Sequence, residues 1–160
     1  MGLYSYNILP TNFCDYLINL YETDTGNHER VDKESKPTFT QLNLNKYHAN
    51  VVSNLCNYFS VALDFYKKDV PQAKYLPQVK YLEEFRIKKY AVGGQDRFDE
   101  HVDVVNHNSS RRCLAMLFYL NDIDSGGKTV FPYQNKEFTP KRGNVIIFPP
   151  TWEYPHLGEP

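Results

Sequence analysis

The sequence is short of cysteine, with Cys14, Cys56 and Cys113 the only three in 160 residues and no CxxC pair among them. An odd count at unrelated spacings excludes a disulfide framework and gives no sign of a structural zinc knuckle. No run reaches the roughly 18 apolar residues of a membrane span. The start, MGLYSYNILPTNF, lacks a basic stretch leading into an apolar one, so it does not read as a signal peptide. Tyr6 stands where a myristoylation signal wants Ser or Thr. A cytoplasmic protein with no membrane partner is therefore expected. Neither sign of charge dominates, since 18 Lys and Arg face 19 Asp and Glu for a net charge of −1. Binding nucleic acid through bulk electrostatics needs a basic excess, so no nucleic-acid partner is expected.

What is present suits one globular domain over residues 1–160: 41% hydrophobic and 23% charged residues, in a chain long enough for its own core. Aromatics make up 15%, with 13 Tyr and 10 Phe, which leans toward a β-rich fold with an aromatic-lined cavity. Residues 10–23 read as a helix that Thr11 or Asn12 can cap, with Phe13, Leu17, Leu20 and Tyr21 on one face. The polar stretch TDTGNHERVDKESKP reads as an exposed, mobile loop, and Phe39 to Leu44 alternate like a strand. Over residues 46–68, Val51, Val52, Leu55, Phe59, Ala62, Leu63 and Tyr66 recur at helical spacing. After a break at 71–77 the runs 79–92, 112–121, 128–131 and 144–148 are short and β-branched or aromatic, separated by Gly, Asp and Pro. No helical pattern lies between them, so a parallel α/β sheet is excluded. The residues thus predict an α+β, mainly β fold: helical support over about 1–70, then antiparallel strands from about 78 that pack as a sandwich or barrel.

The sharpest chemical feature is His101-Val102-Asp103. Two residues apart on a strand, an imidazole and a carboxylate point to one side, about 6.6 Å apart along the chain. A helix would turn them away from each other. Taken alone the pair is more often a strand-end histidine bonded to a neighbouring carboxylate. A second histidine, His156, follows the apolar strand NVIIF in TWEYPHLGEP. Two His and one carboxylate on a rigid β scaffold form the facial triad of non-haem iron(II) oxygenases, which leaves coordination positions open for a cosubstrate and dioxygen. His107 is the rival ligand, while His28 in the polar loop and His48 near the second helix read as solvated. Arg86, Lys88 and Lys89 alternate with Phe85, Ile87 and Tyr90 and read as the solvent face of a strand.

From about residue 80 onward the chain resembles the prolyl 4-hydroxylase-like branch of the 2-oxoglutarate- and iron(II)-dependent dioxygenases. The resemblance rests on an ordered set: Tyr90 and a Gly-rich turn, Phe98-x-x-His101-x-Asp103, Arg112, Phe118-Tyr119-Leu120-Asn121, Gly126 to Phe131, Pro140-Lys141-x-Gly143, and His156-x-Gly158-x-Pro160. It implies a double-stranded β-helix core of the jelly-roll or cupin-like kind, with helices packed against it. It implies that His101, Asp103 and His156 bind Fe(II), and that Tyr90 and Tyr119, with Thr129 on the wall, line a 2-oxoglutarate pocket. No catalytic residue beyond the metal ligands is implied. The implied reaction is hydroxylation of an unactivated C–H with dioxygen and 2-oxoglutarate, with ascorbate admitted as a further cofactor. The substrate is then a prolyl residue of a protein or peptide, or a small molecule, and the segments 23–37 and 92–100 flank the mouth. A cupin-type metal enzyme without 2-oxoglutarate, or a non-catalytic binding module, remain the alternatives.

Members of this branch carry a Lys or Arg about ten residues after the distal histidine, which pairs with the remote carboxylate of 2-oxoglutarate. The sequence stops at Pro160. The expectation is a piece of a longer protein that binds 2-oxoglutarate poorly, because a charge-assisted bond of about 1.5–3 kcal/mol corresponds to roughly 10- to 150-fold in affinity. Lys128 and Arg112 are the nearby substitutes, and an open sheet edge with His156 on a fraying end is expected. Gly126-Gly127 reads as a turn, and Pro140 to Gly143 as a hairpin turn before NVIIF.

Overall fold

The computed structural model describes every residue of the chain except Met1 and Ser35. The first helix, α1 (Thr11–Thr23), starts because the Pro10 carbonyl accepts from the amides of Phe13 and Cys14, both at 3.1 Å. The expected cap from Thr11 or Asn12 is not made. Cys14, Leu17 and Tyr21 are buried at helical spacing, and Phe13 and Leu20 flank the cluster.

The stretch read as a mobile loop is ordered instead. It holds a short turn at Thr25–Asn27 and strand β2 (Glu29–Lys33), which pairs antiparallel with β3 (Lys36–Asn43). Tertiary contacts override the polar composition: Arg30 forks both carboxylate oxygens of Asp96, at 2.6 and 3.0 Å. Nor are His28 and His48 solvated. The His28 ring lies on Tyr21 and bonds its carbonyl at 2.7 Å, and His48 meets Asp24 at 2.7 Å. His48 also breaks the second predicted helix, since its backbone at φ −138 and ψ 51 is not helical. The segment becomes α2 (Leu44–Tyr47), a 3-10 turn (Ala49–Val51) and α3 (Val52–Asp69). The stripe survives the break, with Leu55, Ala62, Leu63 and Tyr66 buried along α3.

Of residues 79–92 only β4 (Arg86–Lys89) forms a strand, on the far side of β3. Two further sheets follow. One orders β1 (Tyr4–Asn7), β9 (Asn144–Phe148) and β6 (Ala115–Phe118). The other orders β5 (Phe98–His101), β10 (His156–Gly158), β7 (Thr129–Phe131) and β8 (Lys136–Phe138). Every pairing is antiparallel. The first 43 residues thus supply three strands beside the helices.

Strand β9 explains the layering. Val145, Ile146, Ile147 and Phe148 are all 0% exposed. Val145 and Ile147 pack with Ala62 and Tyr66 of α3, while Ile146 and Phe148 pack with Leu3 and Phe131 between the two sheets. A strand covered on both faces is continuously apolar rather than alternating. The turn before it is not a hairpin turn, because β8 and β9 belong to different sheets. Gly143 makes the switch at φ +84, where a side-chain carbon would run into the Leu9 carbonyl. His156 does not lie on a fraying end, because β10 lies between β5 and β7, whereas β5 and β6 are edges of their sheets. The residues after β10 are also tied, as Gly127 N donates to the Pro160 carbonyl and Glu159 N to that of Lys128, both at 2.9 Å. No helix among the described residues is long and apolar enough to cross a membrane.

Candidate metal centre

His101 ends β5 and His156 begins β10, and the ladder sets them directly opposite one another. Facing residues of an antiparallel pair hold their side chains on the same side, about 4.5–5.5 Å apart at Cβ. The two imidazoles accordingly lie with ring centroids 4.3 Å apart. Asp103 sits just past β5, where its backbone amide and that of Val104 donate to the Pro150 carbonyl at 3.2 and 3.1 Å. This returns the carboxylate toward the rings: Oδ1 is 3.6 Å from Nε2 of His101 and 3.9 Å from Nε2 of His156. One ligand atom from each residue falls within 4.8 Å of the other two. A first-row ion takes such ligands at about 2.0–2.2 Å, so a small inward movement lets all three share one ion.

The imidazoles are held ready for that. Nδ1 of His101 bonds the Asp99 carbonyl at 2.8 Å, and Nδ1 of His156 bonds the Tyr154 carbonyl at 3.1 Å. A carbonyl only accepts, so the proton is assigned to Nδ1 and the Nε2 lone pair is left for a cation. His156 is 5% exposed among Phe131 and Phe148, and burial, seconded by the nearby His101 ring, holds its pKa below the ordinary histidine value. That keeps it neutral and able to ligate. For Asp103 burial pushes the pKa up, yet His101, His156 and Arg112 together outweigh it and leave the carboxyl below its usual range. The donor set is two imidazoles and a carboxylate with no thiolate, and it fits Fe(II).

Around this centre, Phe98 packs edge-on against His101 at 3.7 Å between centroids. Arg112 donates to the Asp103 carbonyl at 2.6 Å and grips both carboxylate oxygens of Glu83 at 2.6 and 3.1 Å. The Tyr119 hydroxyl donates to Thr129 Oγ1 at 2.6 Å, and burial pushes the Tyr119 pKa up to about 12. Tyr90 keeps 37% of its surface open, and burial, then Asp96 and Tyr119, raise its pKa to about 12. Tyr90 and Tyr119 are thus both neutral at physiological pH. His107 lies exposed and outside the cluster. Of the two substitute cations, Lys128 pairs with Glu137 and Arg112 with Glu83.

Sequence reasoning did not find the Arg30–Asp96 fork, which, with the Ala91 amide bonded to Asp96 at 3.0 Å, anchors the turn after Tyr90. Nor did it find the facing of Lys88, whose signal was its place two residues before Tyr90 on the same strand face.

A pair of histidines and one aspartate brought together across adjacent antiparallel strands could hold a single metal ion on a mainly β scaffold. Residues 85–160 match the family model described as the 2OG-Fe(II) oxygenase superfamily. Over this region the chain is similar to prolyl 4-hydroxylase-like members of that superfamily. The chain is 37% identical over 79 residues to Probable prolyl 4-hydroxylase 9 of Arabidopsis thaliana, a match covering 46% of this chain and 26% of that protein. It spans less than half the length of the curated relatives it matches. Its fold is shared with the viral collagen prolyl hydroxylase of Paramecium Bursaria Chlorella virus-1 in complex with 2OG. That similarity has a TM-score of 0.65 at 19% identity and covers 100% of this chain and 88% of that one. A prolyl hydroxylase from Trichoplax adhaerens, bound to a hypoxia inducible factor oxygen degradation domain peptide fragment, aligns with a TM-score of 0.69 at 18% identity, over 99% of this chain and 77% of that one.

Proposed function

We propose that the chain is the catalytic domain of a 2-oxoglutarate- and Fe(II)-dependent dioxygenase that hydroxylates a prolyl residue of a protein or peptide. The observation that carries this reading is the convergence of His101, Asp103 and His156 with both Nε2 atoms freed by Nδ1–carbonyl bonds. The two facing sheets with α3 against one of them are read as a double-stranded β-helix, and residues 1–160 as one domain of it. His101, Asp103 and His156 would hold Fe(II). Tyr90, Tyr119 and Thr129 would line the 2-oxoglutarate pocket, with Tyr90 and Thr129 offering neutral donors to its carboxylates and Tyr119 holding the Thr129 hydroxyl through the bond it donates. The chemistry supplied with both cofactors in place is oxidative decarboxylation of 2-oxoglutarate to succinate, coupled to C–H hydroxylation. The peptide substrate is supported by the peptide-bound Trichoplax enzyme of the same fold.

The test is succinate formation from 2-oxoglutarate by Fe(II)-loaded protein, with His101→Ala and Asp103→Ala as controls. Succinate that forms only in the parent protein supports the reading. Metal binding without any conversion of 2-oxoglutarate would instead favour a cupin-type metal protein of another activity.

A further inference from the structure

Strand β4 presents alternate residues to opposite sides. Ile87 packs beneath α1, and Lys89 on that same side pairs with Glu22 at 2.6 Å. Lys88 points the other way. Its ammonium lies over the Phe39 ring, 4.6 Å from the centroid. Phe39 in turn contacts Tyr90 at 5.7 Å and Phe98 at 6.0 Å, and Phe98 covers the His101 ring. The expected solvent face of this strand is therefore split, and Lys88 stands on an aromatic floor that leads to the metal centre. Its charge bears on both later ligands: Asp103 favours the charged ammonium, and the ammonium opposes protonation of His156. Displacement of water around it lowers its pKa, although the residue as a whole is exposed.

Its charge is otherwise unanswered. Among the described residues Lys88 Nζ makes no hydrogen bond and no salt bridge, whereas Arg86 is paired with Glu84, Arg112 with Glu83, and Lys36 with Asp99. Beside Arg86 and Arg112, the cation facing it is Lys33. An ammonium held over the Phe39 ring with no hydrogen-bonding counter-ion is open to an incoming anion, and the charge-assisted bond formed would be a strong one. The competing anion is 2-oxoglutarate, whose predicted pocket residue Tyr90 shares this strand face, and a measurement of its affinity separates it from the substrate.

We propose that Lys88 receives a carboxylate of the substrate, so that this site selects a prolyl substrate carrying a negative charge close to the reacting ring. The carboxylate comes either from Asp or Glu beside the proline in a peptide or from the free carboxyl of a small imino acid. The proposal rests on the dioxygenase reading for the reaction, but the charge preference is readable in binding alone.

The experiment is calorimetry on protein loaded with Mn(II) and 2-oxoglutarate without oxygen. The probes are end-blocked hexapeptides with a central proline flanked by Glu, Gln or Lys, together with L-proline and L-prolinamide. The parent protein is expected to bind the Glu peptide, or L-proline over its amide, about 10-fold or more tightly than the neutral counterpart, with the preference shrinking as salt is raised. Lys88→Met should abolish the preference, Lys88→Glu should turn it toward the Lys peptide, and Lys88→Arg should keep it. Preference among the peptides assigns a peptide source, and preference for L-proline alone a small-molecule one. Equal binding of charged and neutral probes overturns the proposal, as does a preference that survives Lys88→Met. A Lys88→Met variant whose main loss is in 2-oxoglutarate affinity also overturns it. Thermal melting of each variant guards against misfolding. Should succinate form while no charge preference exists, Lys88 fails alone; should the preference exist without succinate formation, the dioxygenase reading fails alone.

Discussion

His101 and His156 face each other across the β5–β10 ladder, and each turns Nε2 inward because its Nδ1 is tied to the carbonyl of the residue two positions earlier. The geometry makes the imidazoles ligands by backbone design rather than by side-chain accident. Rings oriented this way lose little freedom when a cation arrives.

Arg112 bonds the Asp103 carbonyl and sets its charge beside the Asp103 carboxylate. Arg112→Met should loosen the loop that carries the carboxylate and weaken Mn(II) binding about 10- to 100-fold, with the fold retained. Titration of metal into the variant, with thermal melting alongside, checks this. Unchanged affinity would show that the Pro150 contacts alone position Asp103.

Tyr119 donates its hydroxyl to Thr129. Tyr119→Phe removes one neutral hydrogen bond of about 0.5–1.5 kcal/mol, so 2-oxoglutarate affinity should fall roughly 2- to 12-fold while metal affinity holds. Calorimetry with 2-oxoglutarate and its monocarboxylate analogue 2-oxobutyrate separates loss at the distal carboxylate from a general loosening of the pocket.

Ile147 faces α3, away from the metal. Ile147→Ala should destabilise the protein by about 2–5 kcal/mol in chemical denaturation and leave the Mn(II) affinity of the folded fraction unchanged. Ile146 faces the space between the sheets. Ile146→Ala should cost stability in the same range and also disturb the packing behind Phe148 and His156.

His156 has its pKa held below the ordinary histidine value, and Asp103 lies below the ordinary carboxylate value. A group depressed in the folded state binds fewer protons there than when unfolded, so its stabilisation is present above the unfolded pKa and lost on acidification. Stability of the metal-free protein should therefore fall as pH drops below about 6.5 and fall further below about 4. Metal affinity should decline over the first of these windows as protons compete for Nε2. Melting curves from pH 8 to 4 for the parent and His156→Phe check it; the variant should lose the dependence near pH 6.

Much of the site was legible because its chemistry is local. His-x-Asp is readable at a strand end, and an apolar run such as NVIIF announces a buried strand with whatever follows it. The long helices showed through their periodic stripes, Leu17 and Tyr21 in one and Ala62, Leu63 and Tyr66 in the other. Strands β1, β8 and β10, of 4, 3 and 3 residues, are too short to display a period of two. Strand β2, ERVDK, is an edge strand whose polar surface looks like a loop until Arg30 finds Asp96.

The sequence by itself determined the kinds of ligand, their order, and the apolar faces that bury the sheets, since side-chain chemistry and backbone period are properties of neighbouring residues. Tertiary structure decided which strands became neighbours, which placed His156 opposite His101, returned Asp103 to both, and set Lys88 over Phe39 instead of in open solvent. Those pairings join residues far apart in the chain, and they follow from how whole sheets cover one another's apolar faces, a balance that no local pattern records.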